Sequence, residues 1–367
     1  MKIILTAFLV SMSCILSATD YYVSSSTGND NNDGLSAATA WRSVGRVNLV
    51  MNIFQAGDQI LFKRGDSFNG PLEIDADGTA GNPIIFGAYD SGDKPEIGAG
   101  ISINGWSTTT DPNIWRSGCR ICPDEIANFY IDGVPQQIGR HPNIDEPNGG
   151  YLTVDSHTGT ANLIDADLPN LPNLVGSELV YKPNRSLIIR SEITSHNAGT
   201  SSIDFVDQNA EPRDEYGYFI QNNYATLDRD GEWFWDESKS TMYLYHTGDP
   251  NALATNATYS DQALSLNFNN YITIEDLSFK NAAREAVYII NAQGIVFQNN
   301  EVSGAGTRGV VIHNTDIQFL DNLVEYSNHV GLDVFNAANS NFLRNTIRHS
   351  GTIAGMGTNS YGSYTGV

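Results

Sequence analysis

Cationic side chains are scarce in this chain: 20 Lys and Arg stand against 42 Asp and Glu, a formal net charge of −22. Nucleic-acid binding needs clustered positive charge to displace counterions from phosphates, and no such cluster occurs along the sequence. Cysteine is scarce too, with three in all. Cys119 and Cys122 form a C-x-x-C within "GCRICP". A zinc ribbon needs a second such pair, and a redox motif needs a βαβ setting; both are missing. A local disulfide is the expected reading, with no metal bound. Helical periodicity is confined to residues 43–54, where Val44, Val47, Val50 and Met51 share a face.

Long apolar runs are limited to the start of the chain. Met1 and Lys2 precede an apolar stretch at positions 3–10, broken once by Thr6, and the small residues Ser17 and Ala18 follow. That is the layout of a signal peptide over residues 1–18, and the run is too short to span a bilayer. Lipidation at Cys14 is the alternative. The expectation is a secreted, periplasmic or cell-surface protein, monomeric and without a membrane span.

What the chain has in quantity is turn-forming residues, with 34 glycines and 13 prolines between short β-rich runs. From Tyr271 onward these runs repeat. Ile274, Phe297, Phe319 and Phe342 recur every 22 or 23 residues, and Phe279, Val302, Val324 and Ile347 recur in step. Val287, Val310 and Leu332 form a further column, with Ile289, Ile312 and Val334 beside them. A fixed period of this size marks a solenoid whose units bury their apolar faces only by stacking. Apolar spacing within each run is two, which requires strands. A leucine-rich repeat would need several leucines per unit and a helical return, so the parallel β-helix is the expected architecture.

Asn300, Asn322 and Asn345 also align. An inward Asn at each bend can satisfy its own turn and the Asn one coil away, so this column reads as a structural ladder. The opening segment, a strand followed by an Asn/Asp/Gly loop and the short helix, reads as a cap over the first coil. Its Asp30 resembles the start of a calcium loop, but Trp41 stands where the closing Glu belongs. The predicted layout is a cap with first coils over residues 19–102, an inserted β-rich region over 103–261, and further coils over 262–367. Val367 falls in the Leu332 column with no capping coil after it, so the helix is expected to be incomplete at its C-terminus.

The segments "YYVSSSTGNDNNDGLSAATAW", "IDGVPQQIGRHPN" and "DGEWFWDESKSTMYLY", together with the coils, resemble the secreted pectate-lyase-like superfamily. The resemblance is to the branch with glycoside-hydrolase members that carry a β-sheet domain inside a right-handed β-helix. It implies an all-β, right-handed parallel β-helix, with a saccharide in a groove along one sheet or its loops, and it leaves the chemistry open.

Outward columns are where such chemistry would sit. Tyr288, Val311 and Asp333 form one; Lys280, Ser303, Glu325 and Arg348 form a second; Asn281, Gly304, Tyr326 and His349 form a third. Asp333, Glu325 and His329 are the candidate catalytic residues, because a glycosidase needs a carboxylate pair and a group to move a proton. Arg308, read as a loop residue, with Arg348, His349, Tyr361 and Tyr364, are the candidate substrate contacts. The two tyrosines lie in a Gly/Ser-rich insertion of the last coil. The leading expectation is a glycoside hydrolase acting on a poly- or oligosaccharide. The alternatives are a polysaccharide lyase, using an Arg or His base with Ca²⁺ to neutralise a uronate, and a non-catalytic glycan-binding or surface protein.

Overall fold

The computed structural model describes residues 18–168 and 174–357. Three parallel sheets form its axis. Sheet I runs through Asp20–Val23, Gln59–Lys63, Ile84–Tyr89, Ile272–Glu275, Ile295–Gln298, Ile317–Leu320 and Asn341–Leu343. Sheet II stacks Ser67–Asn69, Glu96–Gly98, Ser278–Lys280, Glu301–Ser303, Leu323–Glu325 and Thr346–Arg348. Sheet III stacks Leu72–Ile74, Leu264–Asn267, Val287–Ile290, Arg308–His313 and Val330–Phe335. Each coil visits I, II and III in turn, and this is a parallel β-helix.

The columns expected from the period are the register of the sheets. Ile274 pairs with Phe297, Phe297 with Phe319 and Phe319 with Phe342. The Phe297 and Phe319 rings stack with centroids 5.3 Å apart and planes 4° from parallel. Phe279, Val302, Val324 and Ile347 pair likewise in sheet II. All but the last of these are fully buried, and the core is continuous from the cap to Leu332. The stacking of apolar side chains one strand spacing apart is what stabilises each coil against solvent.

The bends have a chemical cause. Asp276, Asn299, Asp321 and Arg344 all take positive φ, between 52° and 61°, between sheets I and II. Three of the four are Asp or Asn, the residues that tolerate this left-handed conformation best after glycine. The next residue turns inward. There the Leu277 N–H donates to Asn300 Oδ1, the Asn300 N–H to Asn322 Oδ1 and the Asn322 N–H to Asn345 Oδ1. The Asn300, Asn322 and Asn345 amides donate in turn to the carbonyls of Ile274, Phe297 and Phe319. The asparagine column is a buried ladder, as the sequence suggests.

The cap is the strand Asp20–Val23 and the helix Val44–Leu49, whose Val44 and Val47 enter the core. Asp30 accepts the backbone N–H groups of Arg42 and Ser43 and the Ser43 hydroxyl, so its carboxylate is spent on fixing the start of that helix. A second body leaves the stack after Ala99. It contains antiparallel sheets, among them the hairpin Trp233–Asp236 with Thr241–Tyr245, and has two apolar cores of its own. The chain returns with the Tyr259 and Ser260 N–H groups both on the Ala99 carbonyl. Coil stacking continues across the insertion as though it were absent: Phe279 pairs with Ile97, and Leu264 with Leu72. Cys119 and Cys122 are joined by a disulfide.

The inserted body rests on the corners between sheets II and III. The Tyr130 hydroxyl donates to the Gly304 carbonyl, and the Asn328 amide donates to Asn128 Oδ1. Gly306 lies so close that a Cβ there would stand 2.0 Å from the Ala283 carbonyl oxygen and 2.5 Å from the Ala127 Cβ. Only glycine fits that approach. Among the described residues no helix is long and apolar enough to cross a membrane.

Candidate functional site

Sheet III presents the most chemically varied outer face. Alternation along its strands turns Val311 and His313 away from the solenoid core on one strand and Asp333 and Phe335 on the next. Val311 is nevertheless fully buried, and Arg308, out of step with that alternation, is 34% exposed. In register, Val311 lies beside Asp333, and Arg308 and His313 flank it diagonally. The Arg308 guanidinium donates to Asp333 Oδ2 at 3.2 Å, and His313 Nε2 lies 3.4 Å from Oδ1. The carboxylate is 34% exposed, so it is oriented by Arg308 yet open to a ligand. Tyr288 continues the same column one strand beyond Val311.

His329 is buried just before this strand, with its backbone N–H on the Thr307 carbonyl. Burial, and next the Arg308 guanidinium, push its imidazole below the ordinary value, against the opposing pull of Asp333. A neutral imidazole beside a carboxylate and a guanidinium can carry a proton near neutrality.

Asp333, Arg308 and His329 are thus brought together. Arg308 is not a loop residue, because it opens a strand of sheet III. Glu325 and Arg348 lie on sheet II and pair with each other at 2.8 Å. They continue a row of ion pairs on that sheet, Lys280 with Glu96 and Lys94 with Glu301. His349 stacks on Tyr326 at 5.1 Å. Both sit in a column that also includes Asn281 and Gly304 and has positive φ throughout, so this third outward column is the corner that ends sheet II. Tyr361, Tyr364, Cys14 and Val367 lie outside the described residues. Of the last-coil insertion, Ile353 and Met356 pack into a core of the inserted body, and the Gly355 carbonyl accepts from the Gln221 amide.

Sequence reasoning passed over His313, although it falls in the column of Ile290 and Phe335. It also passed over Glu232, a buried carboxyl of the inserted body that accepts the N–H groups of Asp228 and Arg229 and is pushed up to about 7 by burial. It lies within the segment "DGEWFWDESKSTMYLY", but no repeat column marks it. Among the described residues no three His, Cys, Asp or Glu side chains converge as a metal site.

Comparison with known proteins agrees with this architecture. Residues 262–365 match the family described as the right-handed beta helix region. A solved glycoside hydrolase superposes with a TM-score of 0.71 at 14% identity, covering 86% of this chain and 67% of that one. In fold, then, the chain is a right-handed parallel β-helix protein, all-β, with an architecture also found in a glycoside hydrolase. A stretch of 103 residues, 27% of this chain, is 37% identical to a lacto-N-biosidase of Bifidobacterium longum subsp. longum and covers 6% of that protein. The chain therefore matches only a small part of the length of that curated relative.

Proposed function

We propose that this chain is an exported glycoside hydrolase that binds a poly- or oligosaccharide along the outer face of sheet III, with Asp333 as its working carboxylate. The observation that carries the reading is the setting of Asp333, outward at mid-strand and half-exposed, with Arg308 on one oxygen and His313 near the other. Glycoside cleavage passes through an oxocarbenium-like state, and a fixed carboxylate can stabilise or attack the developing cation or activate water against it. Arg308 holds the carboxylate in one orientation, with His313 close by, so little reorganisation is needed as charge develops. His329 is the neighbouring group suited to move a proton. The likeness to a solved glycoside hydrolase supports the scaffold for this chemistry, and the partial match to a lacto-N-biosidase supports a saccharide as ligand.

The test is release of reducing ends from neutral oligo- and polysaccharides by the full chain and by Asp333→Asn. Wild type is expected to turn over at least one substrate, and the variant to lose about a thousandfold in kcat while keeping its circular dichroism. A folded Asp333→Asn protein with full activity would falsify the assignment. Unsaturated uronates released from a uronate polymer supplied in parallel would instead indicate a lyase.

A further inference from the structure

Sheet III carries a recess at the edge opposite Asp333, and we infer that it is a separate binding subsite for an uncharged sugar ring. This inference rests on the reading of sheet III as the saccharide face. The recess has a volume of about 510 Å³ and is lined by Glu73, Ile121, Tyr259, Asp261, Gln262 and Ser265, with prolines at its margin. That volume lies within the range of small-ligand pockets.

Three distant stretches of chain build it. Glu73 points outward from the first sheet III strand and lies in register with Ser265 of the next. Tyr259, Asp261 and Gln262 come from the point where the chain rejoins the stack. Ile121 comes from the disulfide-closed turn between Cys119 and Cys122, which overhangs from the inserted body. Ile121 is 65% exposed and Tyr259 43% exposed, so two large apolar surfaces border a floor of hydrogen-bonding groups. Gln262 is oriented from below by the buried Glu285, whose Oε2 accepts its amide at 3.1 Å.

A pyranose ring presents a C–H face and a rim of hydroxyls. The face suits Tyr259 and Ile121, and the rim suits Glu73 and Asp261, because O–H donors to carboxylates make the stronger class of hydrogen bond. None of the lining residues is cationic. Two carboxylates without a counter-charge repel a uronate or a sulfated sugar, so the recess selects against anionic polymers. Four strand spacings, roughly 19 Å, separate the Glu73 strand from the Asp333 strand. A chain spanning both passes Ser265 and Tyr288 of the shared column, in which Val311 is fully buried.

The test is calorimetric binding of cellohexaose, xylohexaose, mannohexaose and hexagalacturonate to the full chain carrying Asp333→Asn, which removes turnover under the proposed mechanism. At least one neutral hexasaccharide is expected to bind and hexagalacturonate not to. Tyr259→Ala, Ile121→Ala and Asp261→Asn should each weaken the neutral ligand about tenfold without lowering Tm. Asp261→Lys combined with Glu73→Lys should admit hexagalacturonate. Preference for hexagalacturonate, failure of every neutral probe, or unchanged affinity in all three of these variants overturns the inference. The two readings fail separately. Hydrolysis surviving Asp333→Asn removes Asp333 as the working carboxylate and leaves the subsite, whereas loss of hydrolysis with affinity unmoved by the recess variants does the reverse.

Discussion

Glu232 is held where its charge is opposed. Its carboxyl is buried and pushed up to about 7 from an ordinary 4.5, even though the Asp228 and Arg229 N–H groups point at it. The unfolded chain releases this proton near 4.5 and the folded chain near 7. The folded state therefore binds more protons in that window, and the stability contributed by the group is complete below 4.5 and lost as pH rises through 7. Melting curves of wild type and Glu232→Gln across this range should diverge, the wild type losing more Tm as pH rises; parallel curves would refute it. At this scale the sequence was partly legible. Asp333 stood out because its column was otherwise uncharged, and Asn291, Asn314 and Asn336 were readable but unread. These three form an outer amide ladder, each bonded to its neighbour in the adjacent coil, at positive φ. Glu232 was not legible, because its raised proton affinity comes from burial inside a fold without a period.

Among the elements, the bend between sheets I and II concentrates buried polarity. Asn322 receives the Asn300 N–H and donates to the Phe297 carbonyl. Asn322→Leu keeps the volume but strands a buried donor and a buried acceptor, each at a cost of about 1–3 kcal/mol. Urea unfolding should show a loss of this order, and a variant within 0.5 kcal/mol of wild type would mean the ladder is decorative. The coils were readable from sequence because each residue meets its successor after 22 or 23 positions. The first coils were readable only as strands. Glu73 meets Ser265 and Ile97 meets Phe279 across the whole insertion, and no spacing rule links such residues. The recess escaped for the same reason, since its walls come from three separate segments.

Over the whole molecule, the inserted body and the helix are fitted to each other, through Gly306, Tyr130 and Asn328, yet the coil stack runs past the insertion without a break in register. That arrangement sets an order of assembly. Contacts between later coils close loops of 23 residues, as from Asn300 to Leu277, while the first coil reaches its partner across 193, as from Asp77 to Asn270. The longer closure costs roughly 2 kcal/mol more in chain entropy, a penalty that falls once the insertion has formed and drawn its two ends together at Ala99. Pulse-labelled hydrogen exchange during refolding should therefore protect amides of Ile295–Gln298 and Ile317–Leu320 before those of Leu72, Gly78 and Ile84, whose carbonyl partners lie across the insertion. Simultaneous protection would show that the nucleus already includes the amino-terminal coil. The solenoid is thus expected to grow from its later coils, and the seam that bridges the insertion is the last to close.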